Sequence, residues 1–298
     1  MPSPDPLQPY RKVQAKSDAD LARILQATAK AIAARILGLN RGVGGDIRGA
    51  QLRLTLAAIK KMQKSMWANG VTPLVESGMD SATEAAEGAI GTMSRVAYAA
   101  LPEAVAEELI RGLRLSAESG LKSDATRRKR ELSERVYKLS ALHTGKVEDM
   151  IRQGLIANLT SKELAGSVRQ YISPDVKGGA SYAAMRLART EINNAFHERQ
   201  INGAKRPGVS AAVWNLSGSH VVPDECNIYA AHNGNGEYPP DQIPEKPHPH
   251  CFCYLTYKTT PPDDFQAQLL NGDFDDELDR RTKANLKRLG VGSTPPTS

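Results

Sequence analysis

Residues 205–216 read KRPGVSAAVWNL, and the hydrophobic pattern changes within them. Pro207 and Gly208 stop the helical pattern that precedes them, because proline lacks an amide donor and glycine tolerates the turn at a helix end. Ala211–Leu216 is short and apolar and carries Val213 and Trp214, which predicts a strand. Upstream of this point the chain reads as helix. Downstream it reads as loop and strand.

Moving towards the N-terminus, a helix fits about 181–205, and the loop SPDVKGGA precedes it. Thr160 and Glu163 have the spacing of a capping box for a helix that runs to about Tyr171. A long helical stretch over about 126–157 opens with Arg127, Arg128, Lys129 and Arg130. Residues 117–125 read as a polar link, and a further helix runs from Pro102 to about Ser116. The helix over roughly 74–99 carries Ala82, Ala85, Ala86 and Gly91, which predicts close packing. Gly70 and Pro73 read as a break. Before them, Leu52, Leu56, Ile59, Met62 and Met66 share one face of a helix over 46–68. The first helix is expected to start with Ser17 as its N-cap, followed by Leu21, Ile24, Leu25, Ile32 and Ile36 at helical spacing. Residues 1–16 hold Pro2, Pro4, Pro6 and Pro9 and read as an extended arm, either a free tail or a segment that orders on a partner.

Towards the C-terminus, residues 217–250 are loop-like, with Gly234, Gly236, Pro239, Pro240, Pro244, Pro247 and Pro249. Phe252–Tyr257 is a second strand candidate. Pro261 and Pro262 open an acidic linker with Asp263, Asp264, Asp273, Asp275 and Asp276, and a basic helix is expected over about 276–289. The expected architecture is mainly α with a small α+β C-terminal domain. Its parts are an arm over 1–16, a helical region over 17–175, the small domain over 176–260 and a charged tail over 261–298.

Composition agrees with a globular chain: of 298 residues, 40% are hydrophobic and 24% charged. The formal net charge of +6 and a pI near 9.2 favour contact with nucleic acid or an acidic surface without requiring either. No apolar run is long enough for a membrane span, and the N-terminal stretch lacks the apolar region of a secretory signal. The three cysteines are Cys226, Cys251 and Cys253. An odd number in one short region is no disulfide framework and suits a reducing compartment.

Those cysteines form the chain's most informative constellation. On a strand, Cys251 and Cys253 would point to one face and could share an ion. His248 lies three residues before Cys251, and folding back the long loop would bring in Cys226. Thiolates and an imidazole are what zinc prefers, and four such ligands make a closed structural site. Asp224 and His232 are substitute ligands, and His250 is a poorer one. The same residues also read as ordinary half-buried strand and turn positions. Residues 217–250 are nearly free of apolar side chains, so a metal clip would supply the order that burial cannot.

Two other chemistries fit subsets of the chain's residues. His248, His250, His232, Asp224 and Glu191 could form a metal-dependent nuclease centre, but no HEXXH motif or P-loop accompanies them. Glu191 on a helix also reads as a salt-bridge partner. His143 and His197 read as plain surface or boundary residues. The run Arg127, Arg128, Lys129, Arg130 could bind DNA phosphates. Glu131 and Glu134 follow it at once, so it also reads as a solvated, ion-paired helix face.

Taken in order, Ala188-Arg189-Thr190-Glu191 in a helix, a strand with Trp214, Asp224-x-Cys226, a Gly-containing loop and His248-Pro249-x-Cys251-x-Cys253 resemble the Mu F-like minor head proteins, the phage head morphogenesis family. The match covers about 70 residues. Family members often carry a second cysteine after the first, where this chain has Tyr229, and a basic residue between the last two, where it has Phe252. The resemblance implies a non-enzymatic virion component present in few copies. It would be made in the host cytoplasm, join the portal vertex during head assembly, and stay inside the head to help packaging or ejection. The implied partners are the portal protein, the major capsid or scaffolding protein and genomic DNA, with no membrane. The alternatives are a metal-dependent nuclease or toxin-like enzyme carried in the head, and a basic DNA-binding protein.

Overall fold

The structure, a computed structural model, describes residues 7–39, 49–173, 176–218, 220–248, 251–274, 278 and 280–291, without the side chains of 115–123. The chain is mainly helical with one small sheet. In order it forms α1 (Gln8–Leu37), α2 (Gly49–Ser65), a π-helical segment (Met66–Val71), α3 (Thr72–Ala97), α4 (Glu103–Ile156), α5 (Ser161–Ile172) and α6 (Ala180–Ala204). Then follow β1 (Val209–Asn215), α7 (Glu225–Ala230), β2 (Glu237–Tyr238), β3 (Tyr254–Thr259), α8 (Pro262–Asn271) and α9 (Arg280–Arg288). No helix among the described residues is long and apolar enough to cross a membrane.

Several boundaries differ from expectation for identifiable reasons. Helix α1 starts at Gln8, not Ser17, so residues 8–16 are no extended arm. Pro9 sits in the first turn, where a missing amide donor is harmless, and Leu7 and Tyr10 are buried. Residues 1–6 lie outside the described residues. The polar link expected at 117–125 is part of the single helix α4, since Gly120 alone weakens a helix interior by only ~1 kcal/mol. Gly70 and Pro73 do not break the chain. The backbone passes through π-helical turns, in which Trp67 O accepts from the Thr72 amide and, at 2.9 Å, from its hydroxyl. The acidic linker after Pro261 is helix α8. Asp263 and Asp264 occupy its first turn, where negative charge favours a helix start, and Gly272 ends it at φ 77°. Asp275 and Asp276 lie outside the described residues.

The chain divides into two compact units, each built from separated segments. One comprises Arg11–Met79 and Arg128–Ile192. Its core joins Ile32 and Ile36 of α1, Ile59 of α2, Val147 and Ile151 of α4, and Leu164, Val168 and Ile172 of α5. The expected capping box is present, with Thr160 and Glu163 each bonding the other's backbone amide. His143 is buried, not superficial. It bonds Tyr171 at 2.6 Å and stacks against Trp67.

The other unit comprises Met1–Tyr10, Asp80–Arg127 and Asn193–Ser298. One of its cores packs Tyr98, Leu101, Val105 and Leu109 with Phe265, Leu269, Leu278 and Leu286. Thus α8 and α9 are packed elements, although their sequence reads as a charged tail. The second core lies under the antiparallel sheet, ordered β2-β1-β3, with Trp214 opposite Leu255 and Ala212 opposite Tyr238. Alternation sends Ala212 and Trp214 inward. Gly236, at φ 74°, accepts the Trp214 amide at 2.8 Å. A Cβ there would stand 2.8 Å from Trp214 O and 2.9 Å from Ala230 O, so any other residue would disturb the start of β2.

Candidate metal centre

Cys226 is positioned by a helix cap. Asp224 is the N-cap of α7 and accepts the Cys226 amide at 2.8 Å, while Asn227 Oδ1 accepts the Asp224 amide at 2.9 Å. This reciprocal pair turns the thiol inward, where it is fully buried. Cys251 and Cys253 are also buried, but they precede β3 and do not lie on it. Strand alternation therefore does not explain their proximity. The loop before β3 bends them towards Cys226.

The expected four residues do come together. Cys226 Sγ lies 3.4 Å from Cys251 Sγ and 3.4 Å from His248 Nε2. Two sets of donor atoms each fall within 4.8 Å: Cys226, His248 and Cys251 in one, and His220, Cys226 and Cys253 in the other. All three cysteines are free thiols. This Cys/His cluster can hold a metal ion. Around zinc, with Zn–S bonds of about 2.3 Å, tetrahedral sulfurs stand roughly 3.8 Å apart, so small adjustments would close the site.

Of the substitute ligands, Asp224 borders the cluster without belonging to either set; its Oδ2 lies 3.0 Å from His248 Nε2. His232 is elsewhere, stacked on Tyr238 with ring centroids 4.2 Å apart. His250 lies outside the described residues. Glu191 is buried and ion-paired with Arg135, as a structural carboxylate would be, and it joins neither donor set.

The thiols titrate as a coupled group. Burial pushes Cys226 up to about 12, against the hydrogen bond with Cys251. Cys253 is raised because its proton is held by Cys251 and because it is buried. Cys251 is lowered, first by that bond from Cys253 and then by the Lys246 ammonium, which together outweigh burial. Of the three thiols, Cys251 is thus the one that ionises most readily. A divalent cation replaces the thiol protons. Lys246 donates to the Cys253 carbonyl and lies 5.4 Å above the Trp214 ring. Three thiolates on a divalent ion leave one surplus negative charge, and Lys246 is placed to offset it.

Helix α6 holds the loop from behind. Asn193 Nδ2 donates to Cys251 O at 2.5 Å, His197 Nε2 bonds Pro244 O at 2.9 Å, and Gln200 Nε2 donates to Leu255 O at 3.1 Å. These residues stand at i, i+4 and i+7, on one helix face, and act as a polar rail along the returning chain. His197 is therefore a buried structural residue and not a surface one. Tyr10 closes the assembly. It stacks on Phe196 at 4.3 Å, donates to Asn193 Oδ1 at 3.1 Å and meets Phe252. Tyr229 packs edge-on against Trp214.

His220, Lys246 and the α6 rail escaped the sequence reading. A lone histidine or lysine in a loop carries no motif. The i, i+4, i+7 spacing of Asn193, His197 and Gln200 was the available signal, a polar stripe on a helix that must bury that face. The basic run does not form a uniform solvent-facing patch. Arg127 pairs with Glu198 and Arg128 is buried, while Arg130 is exposed. No family model, no curated protein and no solved structure matches this chain.

Proposed function

We propose that this chain is a minor head protein of a tailed phage, similar to the Mu F-like proteins, acting at the portal vertex in head assembly, DNA packaging or ejection. One observation carries the reading. Part of the resembled pattern meets in one core: Asn193 and His197, which follow Ala188–Glu191 in α6, bond the loop bearing His248 and Cys251, and Trp214 lies in the same core as the three cysteines. Zinc, bound by Cys226, His248, Cys251 and Cys253, has a structural role in this reading. Buried thiolates with a nearby ammonium suit a closed site better than an open catalytic one.

The test has two arms. The full chain is co-expressed with the portal protein of the same genome and purified through either partner, and purified heads are probed for the chain. Co-purification and a few copies per head are expected; absence from heads sinks the assembly role. Metal analysis of the protein and of a Cys251→Ser/Cys253→Ser variant tests zinc, with about one ion per chain expected in the former and none in the latter. A metal-dependent nuclease activity that disappears in a folded His248→Ala variant would replace the structural reading with the enzymatic one.

A further inference from the structure

We infer that His220 is a ligand of the same ion, and that His220 and His248 are alternative fourth ligands over a fixed base of Cys226, Cys251 and Cys253. This rests on the metal reading above. The geometry offers five donors, and a tetrahedral ion takes four. Cys226 belongs to both donor sets, with His248 and Cys251 in one and His220 and Cys253 in the other.

The groups around the two imidazoles serve either arrangement. His220 Nε2 lies 2.8 Å from Asn227 Oδ1. That oxygen already accepts the Asp224 amide, which identifies it as the amide oxygen and makes it an acceptor for His220. Nε2 therefore carries the proton, and Nδ1 is left with the lone pair a metal needs. A ligating histidine ordinarily donates its other N–H to an oxygen in this way. His248 has Asp224 Oδ2 at 3.0 Å from Nε2, and Asp224 Oδ1 lies 3.7 Å from His220 Nε2. The Asp224 carboxylate is thus within hydrogen-bond distance of His248 and can receive it when it is off the metal.

The two histidines differ in access. The His220 side chain is 10% exposed and the His248 side chain 35%. His248 also follows Pro247 in the returning loop, whereas His220 precedes α7. The more accessible His248 can leave the ion while His220 takes its place. The domain then keeps its metal when His248 leaves it.

The test uses the full chain with Zn(II), and with Co(II) as a spectroscopic probe. His220→Ala and His248→Ala are each expected to retain about one ion per chain, with affinity reduced no more than roughly ten-fold and a Co(II) spectrum still typical of three sulfurs and one nitrogen. The double variant is expected to lose at least about a hundred-fold in affinity. His220→Asn and His248→Asn repeat the comparison with side chains that keep a polar atom in place, and circular dichroism checks that each variant folds. If either single variant loses as much as the double, one histidine is the dedicated ligand and alternation is wrong. If the double variant binds as tightly as the parent, neither histidine ligates. A parent chain that binds no zinc would overturn the metal reading itself, a result distinct from both.

Discussion

Helix α5 and the loop between β1 and β3 reach order by different means. Over Ser161–Ile172, Leu164, Ala165, Val168 and Ile172 are buried on one face and join a core shared with three other helices. Over residues 217–248, only Ser217, Cys226, Gly236 and Tyr238 are buried among the described residues. The helix is held by apolar area, at ~25 cal/mol per Å² removed from water. The loop has too little such area to offset its conformational entropy, and it relies on polar side chains that bond its backbone and on a cluster that a metal can close. A segment of the first kind should respond to cavities and ignore chelators. One of the second kind should do the reverse.

The largest expected effect follows from removing the metal proposed for this cluster. Treating the zinc-loaded protein with a strong chelator should abolish amide protection over residues 217–253, while protection over 147–172 stays within measurement error. Structural zinc in small domains contributes on the order of 10 kcal/mol, enough to unfold a loop with few buried side chains. Hydrogen exchange with peptide resolution reads both regions at once. Equal loss of protection in both, or in neither, would remove the contrast.

Next in size is Leu164→Ala. Leu164 is buried in the helical core, and its truncation should cost about 2–5 kcal/mol of that unit's stability. Gly154 adds a reason for the upper part of that range, because a Cβ there would meet Leu164 Cδ1 at 2.7 Å and the two chains are already in close contact. Thermal or denaturant unfolding should show the loss, and zinc content should be unchanged. A variant that also lost its metal would mean that the helical core supports the cluster directly.

The same contrast explains what was legible in the sequence. Apolar periodicity placed the helices, although α4 read as two helices joined by a polar link and α1 as starting at Ser17, and the Thr160–Glu163 spacing located a cap that is present. Signals misled where one residue type has two uses. Pro9 and Pro262 read as features of extended chain, but both occupy first helical turns, where proline is favoured. Asp263 and Asp264 looked like linker residues and are charges at a helix start. In the candidate site, the four thiol and imidazole donors were readable from residue type. His220 and Lys246 were not, because their roles arise from loop closure and not from spacing. Strand β2 is two residues long and held by the Gly236 turn, too short to leave a periodic trace.

The smallest predicted effect isolates the polar rail. His197 is buried against Trp214, and burial, helped by the Lys246 ammonium and opposed by the bond to Pro244, drives its pKa down to about 3. The folded protein therefore holds His197 neutral, whereas the unfolded chain takes up a proton near pH 6.5. Folding stability is complete above about 6.5 and is lost as pH falls towards 3, by about 1.4 kcal/mol per pH unit from this group alone. Metal binding also weakens in acid, so the two effects need separating. His197→Gln keeps an N–H to donate to Pro244 O and removes the titration. Measured at saturating zinc, where the acid weakening of metal binding is common to both proteins, the unfolding free energy of the parent between pH 6.5 and 5 should fall more steeply than that of His197→Gln by roughly this amount. The difference should also vanish above pH 7.5. Parallel slopes would mean that His197 is protonated in the folded state, and that the loop at Pro244 is looser than its hydrogen bond implies.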